Sequence, residues 1–165
     1  MWQISDRFDP RAVAIADRHY NRQKIGTPQF VPPGRCLVLI RDRGLWVTSW
    51  PFAEYVKHEW AGAWVNSLFR NEGSDVRASE LIVRAVSITR SQWTPPERGI
   101  VTFVDPTKVR PTMRRGKAIF GYCYLQAGWT HVGFTKGGLW AWQQLPAAMP
   151  EPDHSVLRPL FADVR

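Results

Sequence analysis

A chain of 165 residues with 44% hydrophobic and 13% aromatic side chains carries enough apolar surface to bury one core, which excludes a disordered chain and predicts one domain over residues 1–165. Its 22 Lys and Arg against 14 Asp and Glu leave a formal charge of +8, an excess that favours polyanions and makes nucleic acid the natural partner. No apolar run approaches the roughly 18 residues of a bilayer span, the first residues lack a signal-peptide stretch, and Cys36 and Cys123 sit singly as buried thiols in apolar or aromatic runs, so a cytoplasmic setting is expected.

Asp9-Pro10 predicts an N-cap and a first helical residue, with Val13, Ala16 and Tyr20 at helical spacing and an end near His19. Residues 21–34 hold Gly26, Pro28, Pro32, Pro33 and Gly34 and predict an ordered loop with a basic tip. Residues 36–40 and 45–50 predict a hairpin about Asp42-Arg43-Gly44. Residues 60–69 predict a strand with Trp64, Asn66 and Leu68 on one face and Val65, Ser67 and Phe69 on the other, followed by a polar loop over 70–75.

From Ala78, the positions of Leu81, Ile82, Ala85, Val86 and Thr89 against Glu80, Arg84, Ser87 and Ser91 predict an amphipathic helix, stopped by Pro95-Pro96. Residues 100–104 predict a strand that delivers Asp105 at its C-terminal end, where open α/β sheets place ligands. Residues 110–117 predict a basic loop, 120–127 a short helix broken by Gly128, and 129–135 with 139–145 a last strand pair. The tail from about residue 146 is Pro-rich and predicts no further element.

This order matches an acetyltransferase-like (GNAT-like) α/β fold, a single mixed central sheet flanked by helices. In such domains the loop before the central helix binds the donor's pyrophosphate through backbone N–H groups. Its usual signature is Arg or Gln, two residues, Gly, one residue, then Gly or Ala. Here residues 72–79 read Glu-Gly-Ser-Asp-Val-Arg-Ala-Ser, with one glycine and an added carboxylate, which speaks against ordinary acetyl-CoA use.

Val101-Thr102-Phe103-Val104-Asp105-Pro106, then Gly121, Tyr124 and Trp129 in the spacing Gly-x-x-Tyr-x-x-x-x-Trp, then Val132-Gly133, resemble the Mom family of bacteriophage DNA-modification proteins over about the C-terminal half of the chain. Ser79 resembles the serine opening that family's central helix, and His19-Tyr20 its His-Tyr pair. The resemblance implies an acetyltransferase-like enzyme that adds a carbamoylmethyl-type group to the exocyclic amine of adenine in double-stranded DNA. It also implies a possible iron, for which His19 is the candidate ligand. Val104 replaces an alanine, Val76 stands where relatives often show asparagine, and residues 108–118 form a longer, more basic insertion.

Chemistry on a paired base requires the base to leave the stack, so rings, cations and a polar reader are needed. Asp105 is the candidate base or base-holding group, against the alternative of a turn cap. Tyr124 is the candidate hydrogen-bond donor or acid, against a core ring. His19 is read as a base or ligand against a helix C-terminal cap, and Ser79 as a donor or base contact against an N-cap. Arg22, Lys24, Arg110, Arg114, Arg115, Lys117 and Lys136 are the candidate phosphate contacts, while Trp46, Trp50, Trp60, Trp64 and Trp129 read as packing. Two other functions share these features: an acyl-CoA-dependent N-acyltransferase acting on a protein or small amine, and a non-catalytic nucleic-acid-binding module.

Overall fold

The computed structural model describes residues 1–31, 34–51 and 53–156; Pro32 and Pro33 of the predicted loop, and the tail beyond residue 156, lie outside the described residues. In chain order the elements are β1 (Gln3–Ser5), α1 (Pro10–Asp17), β2 (Arg35–Arg41), β3 (Gly44–Trp50), β4 (Trp64–Asn71), α2 (Ala78–Gln92), β5 (Ile100–Val104), β6 (Thr112–Arg114), β7 (Lys117–Ile119), α3 (Tyr122–Gln126), β8 (Thr130–Phe134) and β9 (Trp140–Gln144), with single 3-10 turns at Ala53–Tyr55 and Pro146–Ala148. Seven strands form one mixed sheet in the order β1-β2-β3-β4-β5-β9-β8, and β6-β7 stand apart as a separate ribbon.

The runs over β2 and β3 are apolar throughout because helices cover both faces of the sheet. Leu37, Leu39 and Trp46 face α2 and α3, while Val38, Ile40, Leu45 and Val47 face Ala12, Ile15 and Ala16 of α1. Helix α1 starts as predicted, with the Asp9 carboxylate accepting the Arg11 backbone N–H at 2.9 Å. A cap of this kind contributes about 1 kcal/mol. Helix α2 buries Leu81, Ile82, Ala85, Val86, Ile88 and Thr89, the face its periodicity foretells. Each large aliphatic side chain fully buried there contributes roughly 1.5–3 kcal/mol. The Trp2 indole N–H donates to the Leu81 carbonyl at 2.9 Å and ties β1 to this helix.

Five features differ from the sequence-based expectations. Strand β1 has three residues, too few to show a period. Most of the expected loop over 110–117 falls in a ribbon, β6 and β7, because Arg115 and Gly116 both adopt positive φ (51° and 76°), the backbone a two-residue hairpin turn requires. The segment after Pro146 is pinned to α2, since Ser87 bonds Glu151 and the Asp153 N–H, and Arg90 donates to the Pro150 carbonyl. Neither cysteine is in a disulfide, and both are half-buried where burial was expected.

The fifth difference is in β4. Thr48 pairs with Asn66 but Val47 pairs with Leu68, so Ser67 is an extra residue in the strand. A bulge reverses the alternation that follows it. Trp64 and Phe69 therefore share the α2 side, and Leu68 joins the α1 side.

Candidate functional site

Strands β4 and β5 are neighbours and parallel, yet they pair only at Trp64 with Ile100 and Val65 with Val101. Beyond these pairs the Thr102 hydroxyl donates to the Asn66 carbonyl at 2.9 Å, and the strands carry no further pairing. On its other side β5 keeps five consecutive pairs with β9. The sheet therefore opens on one side of β5 alone, at the C-terminal ends of two parallel strands joined by a helical crossover, the place where α/β sheets receive ligands. The opening is a cavity of about 380 Å³ walled by β4, β5, α3, the end of α1 and the start of the ribbon. That volume falls in the range of roughly 300–1,000 Å³ typical of small-molecule sites.

The bulge builds the floor. The Asn66 amide nitrogen donates to the Val47 and Leu68 carbonyls, both at 3.0 Å, and spans the extra residue. This fixes Oδ1 as the acceptor facing the cavity side, where the Tyr124 hydroxyl donates to it at 2.6 Å. The Tyr124 ring lies edge-on to Trp129 (5.0 Å) and Phe69 (6.4 Å). Burial pushes its hydroxyl well above the usual tyrosine range, so it stays protonated. Gly121 opens α3 with φ 93°, and a Cβ there would stand 2.7 Å from the Trp142 indole nitrogen. Only glycine lets the helix sit this close to β9.

His19 reaches the cavity from the end of α1. Burial lowers its pKa from 6.5, against the raising effect of Asn21 and the Phe69 backbone, so the ring is neutral at neutral pH. Its Nδ1 lies 2.7 Å from Asn21 Oδ1, and the ring stacks on Tyr20 with centroids 4.5 Å apart. The backbone of Asp105 reaches the Tyr20 hydroxyl, which links α1 to the end of β5 across the mouth. Cys123 also lines the wall, its thiol pushed up to about 11 by burial.

The sequence-derived candidates are not all gathered here. Tyr124, His19 and Arg110 line the cavity, whereas Asp105 and Ser79 do not. Asp105 Oδ1 accepts the Thr107 hydroxyl at 2.7 Å and the Thr107 N–H at 2.9 Å, which lowers its pKa and makes it the cap of the turn ending β5. Ser79 is the second residue of α2, while Arg77 stands at the cap without a side-chain bond. The loop before α2 is spent on internal pairs: Glu72 joins Arg18 and Arg70, and Asp75 holds the buried Arg41 at 2.6 Å.

Among the cations, Arg22 leaves the phosphate-contact set, since its side chain is 3% exposed and pairs with Asp17 and the Thr27 carbonyl. Arg114, Arg115 and Lys117 are exposed on the ribbon, with Arg114 stacked 4.9 Å over the Tyr122 ring; Lys24 and Lys136 are exposed in other loops. Among the described residues no three His, Cys, Asp or Glu converge on a metal site, and His19 has Asn21 and the Phe69 backbone as partners. The described residues around His19 do not supply the donor set that an iron ion requires. Asn66, Thr102 and Cys123 were missed; the legible signal was Asn66, an amide in an otherwise apolar strand.

No family model, curated protein or solved structure matches this chain. Among the described residues no helix is long and apolar enough to cross a membrane.

Proposed function

We propose that the chain is a GNAT-like transferase that modifies the exocyclic amine of adenine in DNA, adding a small acyl or carbamoylmethyl-type group as the Mom-like resemblance implies. The observation that carries this reading is the cavity at the parted ends of β4 and β5, lined by Tyr20, Phe69 and Tyr122 and bordered by a cationic ribbon. A flipped base needs rings to stack on and cations for the flanking phosphates, and both types stand together here. The strand order, with its one parallel pair and a helix crossing between them, supports the acetyltransferase-like layout.

Of the groups on the wall, the neutral imidazole of His19 takes the proton that an amine sheds as it is acylated or alkylated, once the incoming substrate displaces one of the ring's two partners, Asn21 or the Phe69 backbone. The base role therefore passes from Asp105 to His19. Tyr124, whose proton is committed to Asn66, presents its oxygen to the substrate as an acceptor. The acyl-CoA reading is disfavoured by Asp75, whose carboxylate lies just before α2 where a pyrophosphate would meet like charge.

Mass spectrometry of nucleosides from the DNA of bacteria expressing the protein tests the proposal. A new adenine-derived nucleoside is expected with the wild type and should be lost with His19→Ala. Soluble wild-type protein that leaves the nucleosides unaltered would overturn it.

A further inference from the structure

From residue 106 to residue 150 the chain carries Lys108, Arg110, Arg114, Arg115, Lys117 and Lys136, and no Asp or Glu. The ion pairs of the described residues all use arginines between positions 11 and 84, so this stretch holds cations without ion-paired carboxylates. Lys108, Arg110, Arg114, Arg115 and Lys117 lie in or just before the β6–β7 ribbon. Positive charge gathered this way is a footprint for a polyanion.

The ribbon also carries an apolar group that the cavity does not use. Side chains alternate along a strand, so Met113 and its partner Ala118 face one way while Thr112 and Arg114 face the other. Thr112 lines the cavity and Arg114 covers the Tyr122 ring, which turns Met113 outward, 60% exposed. Exposed apolar side chains flanked by cations serve DNA-bending proteins as wedges between base steps.

We propose that the β6–β7 ribbon is a duplex-opening finger: its cations hold phosphates on either side of the target, and Met113 enters the stack where the flipped base has left. This rests on the DNA-modifying reading above and adds the element that extrudes the base.

The test uses the full chain with duplex DNA carrying 2-aminopurine, following binding by anisotropy and unstacking by fluorescence. Wild type should bind, raise the fluorescence, and lose roughly a hundredfold or more in affinity between about 50 and 200 mM salt, as four or five phosphate contacts demand. Met113→Ala should cut the fluorescence rise by about fivefold, Met113→Leu should restore most of it, and Arg114→Glu with Arg115→Glu should weaken binding by about tenfold or more.

A wild-type fluorescence rise from Met113→Ala would overturn the wedge and leave the base-modifying reading intact. Equal binding to an A-form RNA duplex would overturn DNA as the ribbon's partner. No duplex binding by the wild type at low salt would remove both the finger and the DNA-modifying reading.

Discussion

The Tyr124 hydroxyl donates to Asn66 Oδ1 across 2.6 Å, and the Asn66 amide nitrogen is committed to the Val47 and Leu68 carbonyls on either side of the bulge. One side chain thus sets the strand's irregularity and the direction of the tyrosine proton. Tyr124→Phe removes one bond at the cavity floor and should cost about 1–2 kcal/mol in urea unfolding. Asn66→Leu strands two buried carbonyls as well, and should cost at least about 3 kcal/mol. Equal losses from the two variants would contradict the bulge-spanning role.

Gly121 should tolerate no side chain. Alanine there meets both a left-handed backbone and the Trp142 ring. Left-handed strain costs roughly 1–2 kcal/mol, and crowding in a packed core adds a similar amount. A melting temperature within two or three degrees of wild type, roughly a 1 kcal/mol change at this size, would show that α3 can move away from β9.

His19 should give both stability and modification rate a dependence on mild acid. Its folded pKa lies below 6.5, so the unfolded chain binds the extra proton first. The stability it contributes is complete above 6.5 and is lost as the pH falls toward the folded value. Unfolding midpoints measured at about pH 7.5 and 5.5 should therefore differ less in His19→Gln than in the wild type. Glu72, held at about 2 by Arg18 first and then Arg70, loses its contribution in a separate window, from 4.5 down to about 2.

Cys123 should be a slow thiol despite lining the cavity. With its pKa pushed from 9.0 to about 11, its thiolate fraction near neutral pH falls roughly a hundredfold. Alkylation monitored by intact mass should be at least tenfold slower in the native chain than in urea, a factor of about ten being a conservative share of that fall. Rapid native labelling at Cys123 would mean that burial does not govern this wall of the cavity.

Acetyl-CoA should bind more weakly than about 1 mM in calorimetry. The loop before α2 offers it the Asp75 carboxylate, which already pairs with Arg41. Removing Asp75 should also leave the Arg41 guanidinium, which is 5% exposed, without its carboxylate partner, and Asp75→Ala should lower the urea unfolding midpoint. Tight acetyl-CoA binding would restore the N-acyltransferase reading.

Local chemistry by itself determined much of this protein. Asp9-Pro10 set the start of α1, the period of Leu81, Ile82, Ala85 and Val86 set the buried face of α2, and Asp105-Pro106 ended β5, because caps, helical periods and strand ends depend on neighbours in the chain. The tertiary structure alone decided the site. The extra residue in β4 appears only when β3 is laid beside it, and that bulge turns Phe69 inward and aims Asn66 at Tyr124. Asp105 and Arg22 look like functional groups in the sequence, yet Thr107 and Asp17 occupy them. A polar side chain's availability depends on what folds against it.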